Sequence, residues 1–107
     1  MAKNLHHFVN GKKIEGGSGR FGDVFNPATG EVSAKVPLAS KDEVGKAAAP
    51  ARAAFPDWAG TPPLRRARVL FKFKELVEQN IDRLAAMVTA EHGKVLSDAR
   101  GSCQRGL

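Results

Sequence analysis

The first 40 residues contain short apolar runs separated by turn-forming residues. Asn10-Gly11 stands between two of these runs and predicts a β-hairpin, because both residues tolerate the positive φ of a type I′ turn. A second hairpin is predicted around Pro27 and Gly30, because Pro27 fixes its own φ and Gly30 can supply a positive one. Its strands would cover residues 22–25 and 31–36. Residues 1–40 are therefore expected to form a β-hairpin region.

Helical periodicity replaces this pattern after residue 40. Ser40 and Glu43 fit a capping box, in which each residue accepts a hydrogen bond from the backbone of the other. Gly45 and Pro50 oppose the helix that follows, at a cost of about 1 and about 3 kcal/mol. We therefore expect a kink at Pro50 or two short helices. The predicted apolar face comprises Val44, Ala47, Ala48, Ala51, Ala54 and Phe55.

Three further helices are expected in the remaining chain. Thr61 is a candidate N-cap, and Pro62 suits the first turn of a helix that runs from Leu64 to Gln79. The next helix should run from about Ile81 to Glu91 and stop at Gly93. A fourth should begin near Leu96, with its pattern still running where the sequence ends.

These three helices each carry an apolar stripe that is predicted to be buried. The stripes are Val69, Leu70, Phe73, Leu76 and Val77; Ile81, Leu84, Ala85 and Val88; and Leu96, Ala99, Cys103 and Leu107. Residues 41–107 are thus expected to be a helical region, and the chain an α+β structure of two hairpins followed by three or four helices. A natural domain rarely ends without a cap or polar tail, so we expect one truncated piece of a larger protein.

Length and composition limit the function classes. The 107 residues are 42% hydrophobic, which suits one small domain. Cys103 is the only cysteine, so an intrachain disulfide and a zinc cluster built on thiolates are both excluded. A single free cysteine suits a reducing compartment. No apolar run approaches the roughly 20 residues of a membrane span, and the N-terminus lacks a signal-type apolar segment. A cytoplasmic protein without a membrane partner is expected.

The chain carries a net charge of +6, which weakly suggests an anionic partner. Its densest basic segment is diluted by Glu75 and Glu78, and its Phe71 and Phe73 flank a predicted core stripe, whereas a phosphate-tracking face would normally add exposed aromatics. A solvated face, or an interface with other parts of a larger protein, is favoured over nucleic-acid binding. A free-standing basic module that binds nucleic acid or another anion remains the alternative. The basic residues concerned are Arg65, Arg66, Arg68, Lys72 and Lys74.

Cysteine and histidine give no strong catalytic or metal signal. Cys103 recurs at helical spacing with apolar residues, which favours packing over a nucleophilic role. His6 and His7 are adjacent, so their side chains would point to opposite faces of a strand. His92 lies at a predicted helix end, where its charged form interacts favourably with the helix dipole. A zinc site needs three or four converging ligands, so we expect none on these histidines.

Four short motifs in order resemble the N-terminal part of the aldehyde dehydrogenase superfamily. They are Phe25-Asn26-Pro27-Ala28-Thr29-Gly30-Glu31-Val32, Ala53-Ala54-Phe55-x-x-Trp58, Arg66-Ala67-Arg68-Val69-Leu70 and Glu91-His92-Gly93-Lys94. Each motif alone is weak evidence for the family. The four together, in order and at the spacing of the family, give a match that covers nearly the whole chain. Residues 19–27 and 70–76 look most like the CoA-acylating methylmalonate-semialdehyde dehydrogenases.

The resemblance implies a parent enzyme that oxidises a semialdehyde to an acyl-CoA with NAD and CoA, through a thioester on a cysteine. The catalytic cysteine, the general-base glutamate and the NAD-binding region of such enzymes lie beyond the matched stretch. No catalytic or cofactor-binding residue is therefore assigned, and this chain alone is not expected to oxidise aldehydes. Its expected partners are the remainder of the dehydrogenase subunit and further subunits of a homo-oligomer.

The resemblance also implies one candidate cation ligand. In some related dehydrogenases, the acidic residue of the E-x-G-K helix end and a backbone carbonyl near the N-P-A-T-G turn hold a monovalent cation. Those positions match Glu91 and either Val24 or Phe25. A solvated or capping carboxylate is the favoured interpretation of Glu91, since a cation would need more oxygen ligands than these.

Overall fold

The computed structural model describes residues 2–107. Strands precede helices along the chain, as the change of pattern near residue 40 predicts. The elements are β1 (Lys3–Asn4), β2 (His7–Val9), β3 (Lys12–Ile14), β4 (Phe21–Phe25), β5 (Val32–Pro37), α1 (Lys41–Gly60), α2 (Pro63–Gln79), α3 (Ile81–His92) and α4 (Leu96–Gln104). The predicted α+β class is confirmed.

Both predicted hairpins are present. β2 and β3 pair antiparallel, and Asn10 and Gly11 between them have φ values of 49° and 74°, as a type I′ turn requires. β4 and β5 also pair antiparallel. In the segment that joins them, Gly30 has a φ of 74° and its N–H donates to the Asn26 carbonyl at 2.8 Å. The Asn26 side chain accepts from the Ala28 N–H at 2.9 Å, which is the Asx turn expected of this residue type.

A parallel strand that the sequence did not predict completes the larger sheet. β1 pairs with β5 through Lys3 opposite Ala34 and Asn4 opposite Lys35, giving the order β1-β5-β4. The Leu5 N–H extends this ladder by donating to the Lys35 carbonyl at 2.8 Å. Lys3 and Asn4 show no apolar alternation, and both are exposed. Hydrophobic patterning therefore could not reveal this strand.

The capping box at the start of α1 is confirmed. The Ser40 N–H donates to Glu43 Oε2 at 2.8 Å, and the Glu43 N–H donates to Ser40 Oγ at 3.2 Å. Of the two predicted alternatives, the division into two short helices is wrong, because α1 runs unbroken through Pro50 and Pro56, and a kink at Pro50 stays a prediction. No residue of α1 is buried, so the carbonyls that lose a helical donor to the prolines can be hydrated instead.

The N-cap of α2 differs from the prediction. Pro62 rather than Thr61 occupies the N-cap position, and the helix begins at Pro63 without a side-chain cap hydrogen bond. Pro63 at the first helical position has a preset φ, and its missing N–H would have no helical acceptor there, so this helix can begin without a side-chain cap. The Pro62 carbonyl accepts from the Arg65 and Arg66 N–H groups at 2.9 and 3.2 Å.

Most of the α2 stripe is exposed, so its predicted burial is wrong. Four of its five members are solvent-exposed: Val69 (55%), Leu70 (61%), Phe73 (61%) and Leu76 (46%). Only Val77 is half-buried. Helical periodicity identifies an apolar face, but it cannot state whether the chain contains a surface that covers that face.

α3 and α4 pack against each other. In α3, Ile81 and Ala85 are buried and Leu84 and Val88 are half-buried, as predicted. Gly93 ends the helix in the left-handed conformation, and its N–H donates to the Thr89 carbonyl at 2.8 Å.

The α4 stripe is only partly buried. Ala99 is completely inaccessible and Cys103 is half-buried, whereas Leu96 and Leu107 are exposed, contrary to prediction. These two leucines lie at the start of the helix and beyond its end. The central residues of the stripe therefore make the contact with α3.

The chain forms two compact units. One comprises the residues up to Phe25 together with Glu31–Gly60, and the other comprises Asn26–Gly30 together with Thr61–Leu107. The predicted regions, residues 1–40 and 41–107, were distinguished by their type of secondary structure and not by compactness. The division of the chain at residue 40 stays a prediction. No helix within residues 2–107 has both the length and the apolar content of a bilayer span.

Candidate functional site

The Glu43 carboxylate accepts hydrogen bonds from two separate segments of the first unit. Besides the Ser40 N–H, it accepts the Gly17 N–H at 2.6 Å. Backbone hydrogen bonds, first from Ser40 and then from Gly17, lower the pKa of Glu43 from 4.5 to about 2. The sequence motif predicted Ser40 as a partner but not Gly17, which lies 26 residues away and carries no side chain to signal the contact.

Two neighbouring contacts join the same two segments. Ser18 Oγ donates to the Leu38 carbonyl, and Arg20 Nη2 donates to the Ala39 carbonyl at 3.1 Å. A Cβ atom on Gly16 would lie 2.4 Å from Pro37 Cβ, so only glycine allows this approach. These contacts hold the glycine-rich loop (residues 16–19) against the start of α1, and they are structural rather than catalytic.

A concavity of about 340 Å³ lies between the β2–β3 hairpin and the first turns of α1. Its lining is mainly apolar and includes Phe8, Ile14 and Val44, together with His7 and Glu43. His7 Nε2 is buried without a hydrogen-bond partner within the described chain. His6 and His92 are exposed. Residues 2–107 contain no cluster of three or more His, Cys, Asp or Glu side chains suited to a metal ion.

The candidate cation ligand Glu91 is exposed in the last turn of α3, in the second unit. Val24 and Phe25 lie in β4, in the first unit. The Val24 carbonyl already accepts a hydrogen bond from Ser33 Oγ at 3.0 Å. The pairing of Glu91 with either backbone carbonyl therefore stays a prediction.

The basic segment of α2 is partly neutralised by its own helix. Lys72 Nζ lies 2.8 Å from Glu75 Oε2, and Lys74 pairs with Glu78 one turn away. Pairs at this spacing on an exposed helix are worth about 0.2–0.5 kcal/mol.

Cys103 is half-buried in α4, a setting in which a thiol acts as a small apolar side chain. Neither feature supplies a reacting group.

Known proteins resemble this chain over nearly its whole length. The model of the aldehyde dehydrogenase family matches residues 14–107. Malonate-semialdehyde dehydrogenase from Pseudomonas aeruginosa is 52% identical over 103 residues, which are 96% of this chain and 20% of that protein. Malonate-semialdehyde dehydrogenase 3 from Geobacillus kaustophilus is 48% identical over 105 residues, which are 98% of this chain and 22% of that protein.

Solved structures agree with these sequence relatives. A Sinorhizobium meliloti protein described as a methylmalonate-semialdehyde dehydrogenase and complexed with NAD has a TM-score of 0.94 and 50% identity, covering 100% of this chain and 22% of that one. Methylmalonate-semialdehyde dehydrogenase from Oceanimonas doudoroffii gives a TM-score of 0.91 and 46% identity, and the match covers 99% of this chain and 21% of that one. The chain therefore spans about a fifth of the length of these relatives.

Proposed function

This chain belongs to the aldehyde dehydrogenase family, and from that premise we propose that it forms the N-terminal scaffold segment of a malonate- or methylmalonate-semialdehyde dehydrogenase. The observation that carries the proposal is the 52% identity to the Pseudomonas aeruginosa enzyme across 96% of the chain. The TM-score of 0.94 to the Sinorhizobium meliloti structure supports the same assignment. The family resemblance read from the four motifs is confirmed by these matches.

The proposed reaction converts the semialdehyde, CoA and NAD⁺ into an acyl-CoA, NADH and a proton. NAD accepts the hydride and CoA accepts the acyl group. Gly17-Ser18-Gly19-Arg20-Phe21-Gly22 has the G-x-G-x-x-G spacing, but it leads into strand β4 and not into a helix, so it does not fit a nicotinamide site of the Rossmann type. The chemistry is therefore assigned to the other segments of a cytoplasmic, homo-oligomeric enzyme. This segment supplies surfaces that those other segments contact.

The exposed apolar side chains support a scaffold role. Phe55, Leu70, Phe71 and Phe73 are each at least 61% exposed. Soluble domains seldom leave large contiguous apolar patches uncovered, and such patches commonly mark contacts with other protein. We infer that the remainder of the dehydrogenase subunit contacts these helices.

A chimera tests the proposal. This chain replaces the segment of the Pseudomonas aeruginosa enzyme that it matches, and NADH formation from malonate semialdehyde is followed with and without CoA. A rate within about tenfold of the parent rate, dependent on CoA, is expected. A folded chimera without NAD reduction would contradict the assignment, and acyl transfer to water in place of CoA would contradict only the acceptor.

The candidate cation site has its own test in the same chimera. We propose the role of Glu91 as a monovalent-cation ligand, together with the backbone of Val24 or Phe25, as the alternative to a solvated or capping carboxylate. Replacing Glu91→Gln should remove any dependence of thermal stability on sodium concentration, measured against potassium-free choline buffer. An unchanged sodium dependence in the variant would refute this role, and Glu78→Gln provides an exposed glutamate as a control.

A further inference from the structure

The tip of the β2–β3 hairpin combines an asparagine and a glycine in left-handed backbone conformations. Asn10 has a φ of 49° and Gly11 a φ of 74°, and within residues 2–107 Asn10 is the only residue with a positive φ that is not a glycine. Both residues are exposed, and a Cβ atom on Gly11 would meet open space. The Gly11 nitrogen is therefore unshielded beside the Asn10 carboxamide.

An asparagine followed by glycine carries a nucleophile next to an electrophile. The Gly11 nitrogen gives its proton to hydroxide or a buffer base and attacks Asn10 Cγ, so that an N–Cγ bond forms. The Cγ–Nδ2 bond breaks and ammonia leaves, which closes a succinimide ring. Water then opens the ring at either carbonyl and produces aspartate or isoaspartate. The reaction needs no oxidant, metal or enzyme.

The folded turn opposes this ring closure. A type I′ turn is the mirror image of a type I turn, so its first central residue, Asn10, has a positive ψ as well as a positive φ. That conformation places the Gly11 nitrogen and Asn10 Cβ on opposite sides of the Cα–C bond, whereas the ring requires them on the same side. Asn10 therefore reacts only after the turn has opened.

The β2–β3 hairpin has little to hold it closed. Its two strands have three residues each and pair only with each other. All of β3 is exposed, and Phe8 in β2 is 73% exposed. An isolated two-stranded hairpin is marginally stable at best in water, and segments with few buried contacts open at a small cost in free energy. Opening of this hairpin is therefore frequent.

We propose that Asn10 is a site of spontaneous deamidation that reacts only when the β2–β3 hairpin opens, and that the isoaspartate product prevents the hairpin from closing again. Isoaspartate adds a methylene to the main chain, and a two-residue connection cannot take it up without losing the pairing of His7–Val9 with Lys12–Ile14. The new carboxylate also lowers the net charge of the chain. This site lies within one hairpin and is independent of the proposed dehydrogenase reaction.

The first test compares two molecules with the same local sequence. The 107-residue chain and a peptide of residues 6–15 are incubated in mildly alkaline buffer. Peptide mapping by mass spectrometry counts aspartate at position 10, and an isoaspartyl methyltransferase detects isoaspartate. An open state of a two-state element is populated at about 0.1–10%, so Asn10 should react at least about tenfold more slowly in the chain than in the peptide. Equal rates would overturn the control by hairpin opening.

The other three asparagines of the chain provide internal controls. Asn26 should stay intact, because Pro27 has no N–H that could close the ring. Asn4 and Asn80 are each followed by a bulky residue whose side chain crowds the attacking nitrogen, and the Asn80 carboxamide donates to the Leu76 carbonyl at 2.8 Å. Both should react more slowly than Asn10. An Asn10 rate no higher than theirs would contradict the assignment of the site.

A reversible cross-link tests the dependence on opening. Phe8 and Lys13 lie opposite each other, and opposite residues of an antiparallel pair have the Cα separation of a disulfide. Phe8→Cys with Lys13→Cys, in a Cys103→Ser background, should react at least about tenfold more slowly when oxidised than when reduced. The reduced form is the matched control, and circular dichroism checks that both forms keep their helices. The same rate in both forms would refute the proposal.

Discussion

At the scale of single residues, Glu43 shows how one carboxylate can join two distant segments. It accepts backbone N–H groups from both the glycine-rich loop and the start of α1. Charged acceptors make stronger hydrogen bonds than neutral ones, so both contacts depend on the ionised form. The pKa of about 2 follows from those bonds.

Glu43 should therefore make stability depend on pH in the acid range. Its folded pKa of about 2 lies below its ordinary value of 4.5, so its contribution is complete above pH 4.5 and is lost as the pH falls toward 2. Glu43→Gln should lower the urea midpoint at neutral pH, and its difference from the wild type should shrink across that range. A constant difference from pH 7 to pH 2 would contradict the linkage. Glu78→Gln, whose carboxylate pairs with the Lys74 side chain, is the control.

Gly93 offers a second prediction at the residue scale. Its φ of 86° is in the left-handed region, and an added Cβ would lie 3.1 Å from Pro27 Cβ. Gly93→Ala should destabilise the second unit by about 1–2 kcal/mol, since L-residues disfavour this conformation. Urea unfolding of the variant checks the loss, and stability equal to the wild type would refute it.

Gly45 provides the matched control for Gly93. It lies inside α1 with a negative φ, and an added Cβ would meet open space. Gly45→Ala should therefore stabilise the chain by roughly 0.5–1 kcal/mol, because alanine loses less backbone entropy in a helix. The two alanine variants should thus move stability in opposite directions.

At the scale of elements, local chemistry decided where most helices and turns occur. Ser40 and Glu43 start α1, Gly93 ends α3, and Asn10-Gly11 forms the first hairpin turn, all as their sequence signals predict. α1 continues through Pro50 and is not divided into two short helices. This continuity is possible because α1 has no buried residue and its free carbonyls can meet water.

Pro50 should still weaken α1. Pro50→Ala restores one backbone hydrogen bond and removes the ring clash, which is worth up to about 3 kcal/mol in a helix interior. The variant should gain helical circular dichroism signal and a higher urea midpoint. Pro62→Ala, at the N-cap of α2, should give no such gain. Equal effects of the two substitutions would show that the interior proline costs the helix nothing.

At the scale of the whole molecule, buried residues are few and mostly small. Within the described chain they are Ala34, Pro37, Ile81, Ala85 and Ala99. Burial of apolar surface contributes about 25 cal/mol per Å², so small side chains provide little of the energy that opposes chain entropy. The larger apolar residues of α1 and α2 are mostly exposed.

The isolated chain should therefore be weakly stable. We expect a free energy of unfolding below about 5 kcal/mol, under the usual range for folded domains. The dye ANS should bind, because it reports exposed apolar surface, and Phe73→Ser should reduce its signal. Urea titration with ANS fluorescence checks both statements. A free energy well above that value without dye binding would mean that the apolar faces are covered in solution.

The sequence by itself determined the α+β class, both hairpins, the four helices and the family, because turn, cap and periodicity signals act over only a few residues. Tertiary structure alone decided that β1 joins β5, that Glu43 reaches Gly17, and that Val69, Leu70, Phe73 and Leu76 stay exposed. These features depend on groups far apart in the chain, or on whether any surface covers an apolar face. A local pattern records that a face is apolar, whereas its burial depends on the partner that three-dimensional packing supplies.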